Sequence, residues 1–296
     1  MLTALLSAGW LVKALVRNKA KLTQTGELTA IQGDLDDEEA LAALVEGVEL
    51  VIHCAGLTRA VSERDFFQVN VGGTARLAAA AASAAGSPRL VLMSSLAARE
   101  PRLSAYAASK RGAETELERL GSSIRWTALR PPAVYGPGDR DILLYFKQFR
   151  SGFAFLPGQA TQRLSLIHAS DLADAVVAAA DINTGEEKLV EVHDGHEGGY
   201  GWVEIVTVAS GVFDRPIRRI PVPQPVMQML ATGMQAGGRL LGKAPILNPG
   251  KVRELYHPDW VCHGNRLCEL SDWRPRMGLE QGLEETLRWY REFGML

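Results

Sequence analysis

Arg89-Leu-Val-Leu-Met-Ser-Ser95 is followed by Tyr106-Ala-Ala-Ser-Lys110, with Tyr106 eleven residues after Ser95. The first stretch is an uninterrupted apolar run ending in two serines, the pattern of a strand buried on both faces. The second lies in Ser104 to Leu120, rich in Ala, Glu, Leu and Arg and therefore expected to be helical. On a helix, positions i and i+4 share a face, so Tyr106 and Lys110 stand side by side. A serine at the carboxyl end of a parallel strand faces the crevice where open α/β sheets bind ligands. A phenol beside an ammonium is expected to have a lowered pKa and to exchange a proton with an alcohol or carbonyl. The serine hydroxyl can hold the oxygen of the same group. Ser95, Tyr106 and Lys110 thus form a candidate catalytic set for hydride transfer at a carbon bearing oxygen.

Outward from this stretch, strand and helix patterns alternate. Strands are expected at Leu11–Val16, Leu28–Gly33, Val48–Cys54, Leu90–Met93 and Ile124–Leu129. Helices are expected at Asp36–Glu46, with acids in its first turn, and at Phe66–Ala85, stopped by Gly86 and Pro88. Such alternation implies βαβ units and a parallel sheet covered on both faces. The fold expected is a Rossmann-type, doubly wound α/β sheet. After residue 135 the pattern loosens. Helices are expected at Asp141–Arg150, Asp171–Ala180 and Leu279–Phe293, and a short strand at Arg163–His168. The apolar, Met-rich stretch Pro225–Leu241 reads as a helix of a substrate lobe or subunit contact, with membrane-surface binding as a lesser alternative. The division expected is a nucleotide-binding domain over 1–160 and a smaller lobe over 161–296, partly interleaved with the sheet.

Composition narrows the classes. The chain has 296 residues, 47% hydrophobic and 22% charged, in the range of a globular protein. A formal net charge of −2 gives no electrostatic footprint for nucleic acid. The three cysteines, Cys54, Cys262 and Cys268, have no metal-ligand or disulfide spacing and suit a reducing cytoplasm. Cys54 reads as a small core residue of an apolar strand. No run of apolar residues is long enough to span a bilayer.

With those residues in view, the chain resembles the extended short-chain dehydrogenase/reductase family, the NAD-dependent epimerase/dehydratase group, from its first residue to its last. Gly33-Asp34-Leu35 resembles the motif after the family's third strand, His53-Cys-Ala-Gly56 its fourth-strand motif, and Gln68-Val-Asn-Val-Gly-Gly-Thr74 its helix asparagine. Arg130-Pro-Pro-Ala-Val-Tyr-Gly-Pro-Gly138 resembles the loop beside the nicotinamide. Arg163-Leu-Ser-Leu-Ile-His-Ala-Ser-Asp-Leu172, Asp259-Trp260 and Trp273-Arg-Pro275 resemble its later motifs. The resemblance implies that Ser95, Tyr106, Lys110 and Asn70 are catalytic. It implies that Asp34, Leu35, Cys54, Ala55, Gly56, Thr58, Lys110 and Pro132 line the cofactor. Structural alternatives stand beside these: Asp34 as a helix cap, Asn70 as a satisfied buried amide, His168 as a hydrogen-bonding residue, and Arg130 as one half of an ion pair. The helices Phe66–Ala85 and Ser104–Leu120 commonly form a dimer face in the family, so a homodimer is expected.

The family opens with a strand and a Gly-x-x-Gly-x-x-Gly loop that bring backbone N–H groups to the pyrophosphate. This chain has no such motif, and Met1–Ala8 reads as the later part of the helix that would follow it. The first strand is therefore expected to be missing, with roughly twenty further residues upstream in the natural protein. Without that strand, Leu11–Val16 would stand apart from Val48–Cys54, or the two would close the gap. At the end of the second strand, Val16-Arg17-Asn18-Lys19 offers cations in place of the acid that holds a ribose 2′-hydroxyl. Arg17 favours NADP over NAD, unless Arg17 and Lys19 form a solvated turn. The short Ser95–Tyr106 spacing lacks the insertion of nucleotide-sugar epimerases and points to smaller or more apolar alcohols and ketones, as in steroid-type and flavonol-type reductases. No metal site is expected. The rival reading from another class is a non-catalytic nucleotide-binding sensor or assembly protein of the same fold.

Overall fold

The computed structural model describes residues 1–22, 26–157, 161–182 and 188–296. The first half runs α1 (Leu2–Ser7), β1 (Val12–Val16), β2 (Leu28–Gln32), α2 (Glu38–Val45), β3 (Leu50–His53), α3 (Glu63–Phe66), α4 (Gly73–Ser83), β4 (Arg89–Met93), α5 (Ala105–Arg119), β5 (Trp126–Arg130) and β6 (Ala133–Tyr135). The second half runs α6 (Leu143–Ser151), β7 (Phe153–Pro157), β8 (Arg163–Leu164), β9 (Leu166–His168), α7 (Ala169–Asp181), β10 (Leu189–Glu191), β11 (Tyr200–Gly201) and α8 (Trp202–Val212). It ends with β12 (Arg218–Val222), α9 (Gln224–Leu240), α10 (Pro249–Leu255), β13 (Asp259–Trp260), α11 (Leu267–Leu270) and α12 (Leu279–Glu292).

The parallel sheet has the order β10-β5-β4-β3. Its strands alternate as their period of two requires. Leu90, Leu92, Trp126 and Ala128 face one side, where they pack on Leu41, Val45, Leu77 and Leu117 of α2, α4 and α5. Val91, Leu129 and Val190 face the other and meet Ala175, Val176 and Ala179 of α7. Burial of each such leucine is worth about 2 kcal/mol, and both faces are covered, as a parallel sheet demands. The strand β10 and the helix α7 come from the second half of the chain, so the halves are interleaved. The β1–β2 pair is a separate parallel sheet, and β1 and β3 are not paired with each other.

A second core packs Phe146, Phe149, Leu156, Ile205, Leu283 and Tyr290 together with Tyr135. The segment 163–168 is not one strand. Arg163–Leu164 pairs with β11 and β13, whereas Leu166–His168 pairs with β6, and the chain changes sheets at Ser165. The expected helix 66–85 is not uniform either. Phe67–Gly72 is π-helical, between α3 and α4. A π turn holds an extra residue per hydrogen bond and often marks a functional segment.

One buried carboxylate ties α5 to the sheet. Glu114, fully buried, accepts from Arg130 Nε at 2.8 Å and Nη2 at 2.6 Å, and from Ser94 Oγ at 2.6 Å. Arg130 ends β5 and Ser94 follows β4, so one side chain fixes the helix against two strand ends. Removing one partner of such a pair leaves a charge buried alone. Glu114→Ala is expected to lower stability by about 3 kcal/mol, read as a fall in the urea midpoint. An unchanged midpoint would count against this role.

Candidate functional site

The site lies just past the carboxyl ends of the parallel strands. Arg17 follows β1, Asp34 and Leu35 follow β2, Cys54 to Thr58 follow β3, Ser95 follows β4 and Pro132 follows β5. Ser95, Tyr106, Pro132 and Thr58 line one cavity of about 760 Å³. Its other walls are largely apolar and aromatic and include Tyr145, Trp202, Ile246 and Trp260. Arg17, Asp34 and Leu35 are not among its lining residues.

Ser95 is the N-cap of a short 3-10 turn and accepts from Ala97 N at 3.2 Å. Tyr106 and Lys110 lie one turn apart in α5, whose N-cap Ser104 accepts from Ala107 N. The expectation that Lys110 lowers the Tyr106 phenol needs correction. Burial raises that phenol, opposed by the Ser95 hydroxyl and by Lys251 of α10. Lys110 Nζ instead donates to Met93 O at 2.8 Å, and burial pulls its ammonium down to about 8. Lys251 pairs with Glu254 at 3.0 Å; burial opposes its charge, but this carboxylate raises its pKa above the ordinary lysine value. Glu254 also accepts from Ser104 Oγ, so α10 and the start of α5 are joined beside Tyr106. The sequence reading missed Lys251 and Glu254. Their three-residue spacing was visible, but their meeting with α5 is a tertiary contact.

Asn70 sits buried in the π segment with its amide fully used. Its Nδ2 donates to Ser109 Oγ at 2.8 Å and Leu57 O at 3.0 Å, and its Oδ1 accepts from Leu57 N at 2.7 Å. It therefore clamps the loop after β3 to α5. Gly56 packs tightly in that loop: a Cβ there would lie 3.0 Å from Asn70 Oδ1, with Lys110 Nζ at 3.6 Å. His53 is buried, and burial, with help from Lys110, lowers its pKa to about 4. The neutral ring meets Thr74 Oγ1 at 3.0 Å, and that hydroxyl donates to Asn70 O at 2.6 Å. Cys54 is exposed rather than a core residue, because β3 ends at His53 and the chain leaves the sheet there.

The structural alternatives can be read off directly. The cap of α2 is Asp37, which accepts from Ala40 N at 3.0 Å, while Asp34 accepts from Asp36 N at 2.9 Å. Gly33 packs so close to α2 that a Cβ would stand 2.3 Å from Ala40 Cβ. His168 is buried, bonds Ser170 Oγ at 2.7 Å and packs edge-on against Tyr135. Arg17 is exposed. Among the described residues no cluster of three or more potential metal ligands occurs, and no helix is long and apolar enough to cross a membrane.

A family model described as NAD(P)H-binding matches residues 1–181. Ceramide reductase of Caulobacter vibrioides is 38% identical over 299 residues, covering 100% of this chain and 92% of that protein. The 3 beta-hydroxysteroid dehydrogenase/Delta 5-->4-isomerase of Mycobacterium tuberculosis is 26% identical, covering 98% of this chain and 86% of its own. Among solved structures, UDP-glucuronic acid 4-epimerase of Bacillus cereus with UDP-glucuronic acid and NAD has a TM-score of 0.70 at 13% identity, covering 99% of this chain and 94% of that one. At that identity the likeness is one of fold.

The Asn70 clamp generates a prediction that needs no ligand. Asn70→Ala leaves the half-buried Leu57 N–H without its acceptor, at a cost of about 1 kcal/mol. Hydrogen exchange of the amides at 55–60 is expected to quicken while the strand β4 stays protected. Unchanged exchange in this loop would show that Asn70 does not hold it.

Proposed function

The chain belongs to the NAD(P)H-binding family, in the extended short-chain dehydrogenase/reductase group, and we propose on that footing that it is an NAD(P)-dependent oxidoreductase acting on an apolar alcohol or ketone. The observation that carries this reading is a largely apolar cavity whose wall holds Ser95 and Tyr106 together. The residues fit a nicotinamide cofactor: Gly56 leaves open backbone beside Lys110, and exposed Cys54, Ala55 and Thr58 surround it. Lys110 and the 54–58 loop would hold the nicotinamide end, with Pro132 beside it. Asp34 and Leu35 would meet the adenine end, and Arg17 would favour the 2′-phosphate of NADP. When bound, the cofactor supplies or accepts hydride.

Ser95 Oγ holds the substrate oxygen. The Tyr106 hydroxyl gives that oxygen a proton in reduction and takes it back in oxidation. Its raised pKa keeps the phenol protonated at neutral pH, which suits reduction, and Lys251 limits the rise. Asn70 keeps the loop and α5 in register through Ser109. Residues 1–160 form the nucleotide-binding part and 161–296 most of the substrate lobe, in a homodimer. The Caulobacter relative's name and the apolar lining point to a lipid or steroid-like ketone, and argue against a sugar nucleotide. All residues of the set being present also argues against a purely non-catalytic protein.

Tyr106→Phe is expected to reduce turnover by about a thousandfold while NADPH titration by fluorescence gives a nearly unchanged Kd. Retained turnover would overturn the assignment. Lys110 yields a pH prediction. Its ammonium, pulled down to about 8, is present below that pH and lost above it. Cofactor affinity should therefore weaken as pH rises through about 8 in the parent protein and stay flat in Lys110→Met. Parallel profiles would remove Lys110 from cofactor binding.

A further inference from the structure

The helix α9 is amphipathic the wrong way round. A surface helix ordinarily turns its apolar stripe to the core. Here Val226, Met229, Leu230, Met234 and Leu240 are exposed, Met229 at 69% and Leu240 at 88%. Counted from Val226, the other four lie three, four, eight and fourteen residues on, which sets them along one broad stripe, and Leu241 continues it at 72% exposure. The face turned inward is narrow: Ala231 packs on Val252 and Tyr256 with Met227 beside it. Gln235, on that inward side, lines the cavity.

Charge is distributed to match. From Arg215 to Arg253 the chain carries Arg and Lys but no Asp or Glu, although the whole protein is net −2. Arg218 and Arg219 on β12 are exposed just before α9 begins, and Arg239 and Lys243 are exposed at its end. After the helix, Pro245 and Ile246 line the cavity, and Ile246 is itself 58% exposed. The apolar stripe is thus continuous in sequence with the cavity wall.

We propose that α9 and the turn after it form a docking face for an anionic phospholipid bilayer. Leu, Met and Val side chains enter the acyl boundary, and the flanking cations meet the headgroup phosphates. A second copy of the chain would bury the stripe but would bring like charges together at both ends. An anionic lipid surface satisfies stripe and charges at once. The docked face would turn the Pro245–Ile246 side of the cavity toward the membrane, from which an apolar substrate could enter. That last clause rests on the reductase reading; the docking itself does not.

The test is co-sedimentation of the full chain with vesicles of phosphatidylcholine alone and of phosphatidylcholine with an equal part of phosphatidylglycerol, with neither cofactor nor substrate present. The chain is expected to pellet with the anionic vesicles and to be released by high salt. Met229→Glu with Leu230→Glu should weaken the partition by about tenfold or more, as should Leu240→Glu with Leu241→Glu. Val203→Glu, at an exposed position of α8, should leave it unchanged. Arg239→Gln with Lys243→Gln should remove the preference for anionic vesicles. No pelleting of the parent chain, or pelleting of both double glutamate variants as complete as the parent's, would overturn the proposal. So would a dimer that the glutamate variants dissociate, without vesicle binding, since the face would then belong to a second copy. Because the vesicle assay involves no hydride transfer, its failure leaves the reductase reading standing, and failure of turnover leaves the docking result intact.

Discussion

The arrangement of this site depends on one buried carboxylate. Glu114 accepts from Arg130 and Ser94 and so fastens the middle of α5 to the ends of two adjacent strands. Ser95 is the next residue after Ser94, and Tyr106 and Lys110 lie about two turns and one turn before Glu114 on the same helix. The distance between the serine and the phenol is therefore set by a charge pair that touches neither. In a medium of low dielectric the pair holds only if the carboxylate oxygens are saturated with donors, which they are here. Arg111, at 3.1 Å from the second oxygen, adds a further donor from the same helix.

Around that anchor the chain builds a crevice from two unlike halves. The sheet contributes backbone and small side chains at its carboxyl end, and the second lobe contributes aromatic rings and the Lys251–Glu254 pair. This division has an electrostatic effect. Two cations approach the region from opposite sides, Lys110 from α5 and Lys251 from α10. Lys110 is drawn to a main-chain carbonyl and Lys251 to a carboxylate. The phenol of Tyr106 is therefore tuned more by the second lobe than by its own helix neighbour, and a movement of α10 would alter its acidity.

Much of this was legible in the sequence, for identifiable reasons. The strand β4 is an uninterrupted apolar run and the helix α5 carries its pair at i, i+4, and both signals are local. Ser95 and Gly56 beyond strand ends, Tyr106 in the first turn of α5 and Asn70 in the helical stretch after β3 follow from those elements. What the sequence hid depends on distant contacts. Nothing local distinguishes Glu114 from other helix acids until Arg130 is seen beside it. The partners of Asn70 in the π segment, Leu57 and Ser109, are likewise distant contacts. Cys54 was read as core because the apolar run continues through it, but the sheet ends one residue earlier. For Pro225–Leu241 a helix was expected from the apolar, Met-rich stretch, whereas the direction its apolar side takes is set by what α10 leaves uncovered.

The π segment has a consequence for how this chain tolerates length changes. Between Phe67 and Gly72 the helix carries one residue more than an α-helix making the same turns would need. Elsewhere in a helix, deleting a residue shifts the angular phase of everything beyond it and exposes half the core. Here a single deletion would relax the segment into an ordinary α-helix, with α3 and α4 near their present places. The fold would survive, but the amide now at Asn70 would swing out of line with Leu57 and Ser109. At this point of the chain, loss of one residue separates foldedness from the shape of the crevice.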